Sequence, residues 1–308
     1  MSTSSIPALI AGAGPAGISA ALWLRDFGVP FRWFDARELP GGILHRVHNQ
    51  ISNFPGQNFP DGDSLARVFQ TQLEEIDLCH QVAKIQRIRR HSETLEVEFY
   101  DRSSLRAERI LLATGTSYRT LQVPGEEQAL GRSVRQSAAR DAERFRNQKV
   151  AVVGGGDAAF ENALRLARVG CEVTLLLRSQ PTRARSSFVD AARSHPQITL
   201  APIPTIITSL EETTSGCRLH LDQAGACRSL EVAALFVRIG VEPNLPQGLK
   251  ELQQDSQGYL FADPQGRTSD PAILAAGDLL ATPLRAVATA VGAGALAAHT
   301  IASDLGYL

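Results

Sequence analysis

The stretch Gly12-Ala-Gly14-Pro-Ala-Gly17 constrains this chain more than any other. It follows the apolar run Ala8–Ile10 and opens Ile18–Arg25, a segment with helical spacing. Strand, tight turn and helix are thereby expected in that order. In a G-x-G-x-x-G element the first glycine makes the turn and the second lets backbone approach a pyrophosphate. The third lets the helix pack on the strand. Phosphates then sit at the helix N-terminus, where free N–H groups and the dipole favour negative charge. The next apolar run, Phe31–Phe34, ends in Asp35, 21 positions after Gly14. That is about where a carboxylate must stand to bond ribose hydroxyls.

One such turn is a weak signal, but the pattern returns 142 residues later. Val150–Val153 predicts a strand, Gly154-Gly-Gly156-Asp157-Ala158-Ala159 the turn, and Phe160–Ala167 the helix. Gly12, Gly14, Gly17, Leu22 and Gly28 fall on Gly154, Gly156, Ala159, Leu164 and Gly170 without a gap. Two copies in register predict an α/β protein with two Rossmann-like dinucleotide-binding domains. The copies differ at the ribose end. Asp35 falls on Leu177, and the second copy offers Arg178, Arg183 and Arg185 instead. Losing an acid and gaining guanidinium groups suits a 2′-phosphate. The first site therefore reads as FAD-like, with Gly12, Gly14, Pro15, Ala16, Gly17 and Asp35 as contacts. The second reads as NADPH-like, with NADH also open, through Gly154, Gly156, Asp157, Ala158, Ala159, Arg178 and Arg183. A solvated loop is the alternative role for these arginines.

Ile6–Leu24 carries no charge, which is near the length of a spanning helix, yet Gly12, Gly14, Pro15 and Gly17 interrupt it. The leader Met1–Ser5 has no basic residue. Neither membrane insertion nor a signal peptide is expected, and a cytoplasmic location follows. Lys plus Arg number 31 against 32 Asp plus Glu. So near-neutral a chain has no global field for nucleic acid or anionic lipid. The cysteines are Cys79, Cys171, Cys217 and Cys227, with no C-x-x-C pair and no histidine at zinc spacing. Free, mostly buried thiols are expected, with a Cys217–Cys227 bridge as the alternative, and no metal.

With 308 residues, two domains or one large one are expected, and the two turns favour two. The predicted strand Arg109–Ala113 runs into Ala113-Thr114-Gly115, and Val123-Pro124-Gly125 follows as a linker. Leu235–Ile239 ends in Gly240, and Ile273–Ala276 runs into Gly277-Asp278. A helix of small residues is predicted from about Arg285 to Ser303. Alternating apolar residues at Leu95, Val97 and Phe99, and within Arg218–Leu221, suggest an antiparallel hairpin in each unit. The division is residues 1–116 plus 245–308 around FAD, with 117–244 inserted for the nicotinamide nucleotide.

This order of motifs resembles the low-molecular-weight thioredoxin reductase family, from about Ile6 to Leu308. The resemblance includes Gly12–Gly17, Pro40-Gly-Gly42-Ile-Leu44, Asn53-Phe-Pro-Gly56 and Ala113-Thr-Gly115. It continues through Val123-Pro-Gly125, the run from Asn147 to Gly156, Ala276-Gly-Asp278 and Arg285–Gly294. It implies that family's three-layer ββα domains, FAD, hydride entry from NADPH, a homodimer, and rotation of the inserted domain. It also implies FAD contacts at Gly42, Leu44, Asn53, Ala113, Thr114, Gly115, Gly277, Asp278, Arg285, Ala286 and Val287.

The departures matter as much. Where the family carries Cys-Ala-Thr-Cys-Asp, this chain has Ser137-Ala138-Ala139-Arg140-Asp141. Disulfide exchange needs a thiolate attacking sulfur, and neither serine nor arginine supplies one. The expected function is hydride transfer from NAD(P)H to flavin, then to a non-disulfide acceptor: a small molecule, a quinone or oxygen. The alternatives are transfer to a ferredoxin or flavodoxin, a flavin oxidase without nicotinamide, the thioredoxin reductase reaction itself, and a non-catalytic redox sensor. Arg140 would stabilise an anionic reduced flavin or simply pair with Asp141 or Glu143. The resemblance places His45 and His48 beside the flavin ring, as proton donors and acceptors or as structural groups. Smaller departures are Ile43 for an amide, Leu177-Arg178-Ser179 with Arg183 for a three-arginine phosphate grip, and Arg285-Ala286-Val287 for Arg-Gln-Ala.

Overall fold

A computed structural model describes residues 5–308. The leader lies outside the described residues except for Ser5. The chain divides into two units. One holds the described residues up to Ser117 together with Glu242–Leu308; the other is Tyr118–Val241. The return crossing thus falls at 241 rather than 244. Asn244 belongs to the first unit through its N–H on the Gly115 carbonyl at 2.9 Å and its own carbonyl, which accepts from the Thr114 hydroxyl.

The first unit is built on parallel strands in the order Gln81–Val82, Phe31–Asp35, Ile6–Ala11 and Ser104–Leu112. Ser104–Leu112 begins five residues before the expected Arg109, because one of its edges serves two partners. Its first half pairs antiparallel with Thr94–Phe99, itself paired with Ile85–His91. Its last residues pair in parallel with Ile273–Ala275. The antiparallel hairpin and the helices therefore form separate layers on the parallel sheet. Ile6–Ala11 is buried on both faces, as an inner parallel strand should be. Ala8 and Ile10 pack with the helices, whereas Leu9 and Ala11 pack toward the hairpin layer.

The inserted unit repeats the scheme. Its parallel order is Ile198–Leu200, Glu172–Leu176, Lys149–Val153, Ala234–Val237 and Val134–Arg135. Beside them lies an antiparallel meander of Thr205–Thr213, Gly216–Gln223 and Ala226–Val232. Val150 and Val152 face one core and Ala151 the other. The predicted Leu235–Ile239 strand closes at Val237, where Arg238 turns its guanidinium onto the Gln136 carbonyl at 2.8 Å. Among the described residues, no helix is long and apolar enough to cross a membrane.

The C-terminal helix is Val287–Asp304 and starts two residues later than expected, since Ala286 caps it through Thr289. It lies against Pro15–Asp26 without a side chain between them. A Cβ on Gly294 would stand 2.1 Å from the Ala16 carbonyl oxygen. Nearby, Ser19 donates its hydroxyl to the Val291 carbonyl at 2.8 Å. Gly292, two positions earlier, faces open space. In urea unfolding, Gly294→Ala should cost about 1–3 kcal/mol through forced separation of the helices. Gly292→Ala should gain about 0.5–1 kcal/mol by helix propensity. Equal effects at both positions would remove close backbone approach as the reason for Gly294.

Candidate dinucleotide site

Three backbone segments meet at the first glycine turn. A Cβ at Gly12 would lie 2.3 Å from the Ala113 oxygen, and one at Gly17 1.9 Å from the Gly12 oxygen. Gly42, at φ +59°, would bring a Cβ to 2.8 Å from the Gly14 Cα. No side chain fills the space in front of the helix Pro15–Asp26. Its N-cap, Gly14, makes no side-chain hydrogen bond, and its first turn carries no acid. Uncapped N–H groups facing a cleft form an anion site, and the dipole reinforces it.

That cleft has a volume of about 210 Å³. Gly14, Pro15 and Ala16 form its floor, Gly42 and Leu44 one wall, and Ala113, Thr114 and Gly115 another. Gly277, Asp278, Arg285, Ala286 and Val287 close the far side. A second cleft of about 580 Å³ adjoins it through Asp35, Arg37 and Thr114 and reaches Gly12. Gly17, in the helix's first turn, packs against the Gly12 carbonyl and lines neither cleft. Asn53 is exposed and lines neither cleft. Arg37, which sequence reasoning missed, lines both, with Nη1 on the Gly42 carbonyl at 3.2 Å. Its only sequence signal was its place two residues beyond Asp35.

Asp35 stands at the end of its strand and accepts from the Ala13 N–H at 2.7 Å and the Arg37 N–H at 2.8 Å. The carboxylate is thus fixed at the turn, with lone pairs left for hydroxyls. Arg285 is also fixed. Its guanidinium donates to the Asp278 and Leu280 carbonyls and stacks 3.8 Å over the Tyr259 ring. These residues fit a dinucleotide: N–H groups for the diphosphate, and carboxylates at Asp35 and Asp278 for hydroxyls.

His45 does not line the clefts. Its Nδ1 lies 2.7 Å from Asp63 and its Nε2 2.9 Å from the Pro40 carbonyl, so both ring nitrogens are engaged between the 3₁₀ helix Gly42–Arg46 and the helix Gly62–Glu75. His48 is half-buried and lines neither cleft.

The second turn has the same backbone and different electrostatics. A Cβ at Gly154 would stand 2.1 Å from the Arg238 oxygen. The helix Asp157–Arg168 has Gly156 as an N-cap without a side-chain bond. Ala158 and the buried Ala159 lie in its first turn. Here Asp157 occupies the first helical position and accepts from the Arg185 N–H and Nε at 2.8 and 2.7 Å. The Arg185 backbone bond, with its guanidinium, holds the Asp157 carboxyl below the usual range. Arg183 donates its N–H to the Gly155 carbonyl at 2.9 Å, which docks the loop on the turn and leaves the Arg178 and Arg183 side chains exposed. Leu177 is buried.

Arg140 grips Asp141 with two bonds, at 3.0 and 2.9 Å. All four cysteines are free. Cys171 and Cys217 are buried, but Cys79 and Cys227 are exposed, so "mostly buried" holds for two of the four and the Cys217–Cys227 bridge is not formed. The exposed pair sits on surface segments where no apolar layer covers it.

Two glycine turns on two parallel sheets, the first opening on a dinucleotide cleft, define a nucleotide-dependent flavoprotein oxidoreductase fold. The chain belongs to the pyridine nucleotide-disulphide oxidoreductase family, whose model matches residues 7–294. It is 32% identical over 302 residues to a thioredoxin reductase of Treponema pallidum, covering 97% of each chain. It is 32% identical over 295 residues to a bifunctional thioredoxin reductase/thioredoxin of Mycobacterium leprae, covering 94% of this chain and 64% of that protein. A solved thioredoxin reductase from Lactococcus lactis matches with TM-score 0.80 and 27% identity, over 98% of this chain and 99% of that one. The bacillithiol disulfide reductase of Bacillus cereus shares the fold at 18% identity and TM-score 0.76, over 98% and 100%. Members of this family use FAD and NADPH.

Burial pushes the Asp278 carboxyl above its ordinary 3.8, against the pull of the Arg285 guanidinium. A carboxyl raised by folding binds its proton more tightly in the folded chain. Its ionisation therefore opposes folding at neutral pH, and the penalty fades as pH falls from the raised value toward 3.8. In urea, apoprotein carrying Asp278→Asn should be more stable than its parent at pH 7, with the gap closing in acid. It should also bind FAD about tenfold or more weakly, for loss of one charge-assisted hydrogen bond. A gap that does not vary with pH would count against burial as its cause.

Proposed function

We propose that this chain is an FAD-dependent oxidoreductase that takes hydride from NADPH, or alternatively NADH, and delivers electrons to an acceptor other than a disulfide. The first glycine turn, Asp35 and Asp278 hold the FAD. Gly154, Gly156 and the first turn of Asp157–Arg168 hold the nicotinamide nucleotide, and Arg178 and Arg183 meet a 2′-phosphate. When bound, FAD accepts the hydride and passes its electrons on. A homodimer and a small-molecule or protein acceptor belong to the same reading.

The observation that carries it is the segment Ser137–Asp141. It puts a hydroxyl and a guanidinium where the resemblance puts the thiol pair, and its arginine is committed to Asp141. The remaining thiols offer no substitute. Burial raises the Cys171 and Cys217 thiols, which disfavours the thiolate that exchange requires. Cys79 and Cys227 belong to different units. Arg140, Asp141, His45 and His48 enter this reading as positioning groups.

Anaerobic addition of NADPH or NADH to the purified yellow protein should bleach the flavin absorbance. Oxygen, a quinone, ferredoxin and thioredoxin would then be added separately. Colour should return with oxygen or the quinone and not with thioredoxin. Rapid reoxidation by thioredoxin would overturn the reading, and reoxidation by ferredoxin alone would make the acceptor an iron–sulfur protein.

A further inference from the structure

Two arginines of the inserted unit, Arg135 and Arg140, meet one carboxylate. Arg144 shares the Phe145 ring with Arg135, and Arg238 donates to the carbonyl of Gln136, the residue after Arg135. Arg135 ends the strand Val134–Arg135, and Arg238 follows the neighbouring strand Ala234–Val237, with Phe236 opposite Arg135. Arg140 and Arg144 come from the turns that follow, Ala138–Asp141 and Ala142–Phe145. Asp141 is shared: Arg140 holds it with two bonds, while Arg135 Nη1 remains 4.0 Å away. Glu143 is already bonded by Arg146 at 3.1 Å. Arg135 is thus left facing a carboxylate that Arg140 already holds.

Two of these arginines keep buried N–H groups that the protein does not satisfy. Arg135 is 7% exposed, and its buried Nε and Nη2 have no acceptor. Arg238 Nε is buried without an acceptor too. Native interiors leave few such groups, because a buried N–H without a partner opposes folding. The Phe145 ring, 5.8 Å from Arg135, faces the charge but takes no N–H bond. Nε and Nη2 form the edge with which a guanidinium grips an oxyanion in a fork. Arg140 uses that same edge on Asp141; Arg135 has it vacant. Burial and the charges of Arg144 and Arg140 hold Arg135 below the ordinary arginine range, a field that an incoming anion would relieve. Arg140 keeps 51% of its side chain in solvent.

We propose that Arg135, Arg140 and Arg238 form a binding site for a small oxyanion, a carboxylate, phosphate or sulfonate, and that the electron acceptor is recognised through such a group. The second clause rests on the non-disulfide reading above; the first does not.

Calorimetric titration of the FAD-loaded protein, its nicotinamide site filled by NADP⁺, with malonate and, separately, inorganic phosphate should show one saturable site per chain. Arg135→Leu and Arg238→Gln should each weaken malonate at least tenfold. Arg183→Gln, on the loop of the second glycine turn, should not. Arg135→Leu should keep or raise the thermal midpoint, since it removes unsatisfied buried groups. If it fails to fold, the half-buried Arg238→Gln decides. No saturable site for either probe, or binding that survives Arg238→Gln, overturns the site. For the acceptor, NADPH-reduced protein should be reoxidised at least fivefold faster by a naphthoquinone sulfonate than by its uncharged parent, the quinone gaining two electrons and two protons. Arg238→Gln should erase that preference. Equal rates overturn the second clause. Calorimetry moves no electrons, so a missing anion site leaves the electron route standing, whereas reoxidation by thioredoxin removes that route and leaves the anion site.

Discussion

Backbone touching backbone at Gly12 and Gly17 is the contact on which the first unit depends. The Gly12 carbonyl lies where a Gly17 side chain would begin, and the Ala113 carbonyl where a Gly12 side chain would begin. Two strands and one helix therefore converge with no atoms between them. Ala113 donates its N–H to the Ala11 carbonyl at 2.7 Å, and the Trp33 indole donates to the Gly12 carbonyl at 2.9 Å. The convergence aims the helix N-terminus at the cleft. It also lets Val287–Asp304 come down on Ala16. Any methyl here moves a backbone rather than a side chain, so it acts on core and site together.

The two turns share this geometry and differ in charge. The first leaves its helix N-terminus uncapped and holds its acid off to one side, on the Ala13 N–H. The second brings Asp157 to the helix start and neutralises it with Arg185. Ala159 replaces the third glycine, and its methyl lies 3.2 Å from where a Gly154 side chain would begin. The first turn thus leaves its N–H groups open to an anion, and the second presents Arg178 and Arg183 on an exposed loop.

The turns, Asp35 and the repeat were legible in the sequence because their requirements are local: a glycine is needed where no side chain fits. The cleft floor at Gly14, Pro15 and Ala16 was legible for the same reason, whereas family resemblance supplied Gly42, Leu44, Ala113, Thr114, Gly115, Gly277, Asp278, Arg285, Ala286 and Val287. Ser104 as a strand start was not, because it depends on which partner takes each half of one strand edge. Nor was the exposure of Asn53, which tertiary packing decides. His45 looked like a chemical group, but its partners Asp63 and Pro40 lie on either side of it in the chain and appear only on folding. Arg135 and Arg238 were invisible for a different reason. Arg238 ends an apolar run, where a charge ordinarily marks the return to solvent, and Arg135 sits in a polar stretch, Arg132-Ser133-Val134-Arg135-Gln136, that reads as surface.

How this protein treats its other clustered arginines argues that the vacant edge of Arg135 is not a packing accident. In the first unit, Arg267 and Arg109 also share one carboxylate. Arg267 meets both oxygens of Asp304 at 2.7 and 2.6 Å, and Arg109 adds a third bond at 3.4 Å. That trio closes around its acid and holds the Asp304 carboxyl well below its ordinary range, chiefly through Arg267. Around Asp141 two arginines also meet one acid, but Arg140 takes both oxygens and Arg135 stays 4.0 Å away with its Nε and Nη2 unpaired. The unpaired edge falls on the more buried of the two. A fold that can satisfy two arginines at one carboxylate and leaves one of two unpaired at another has an electrostatic vacancy there, and its sign is set for an anion.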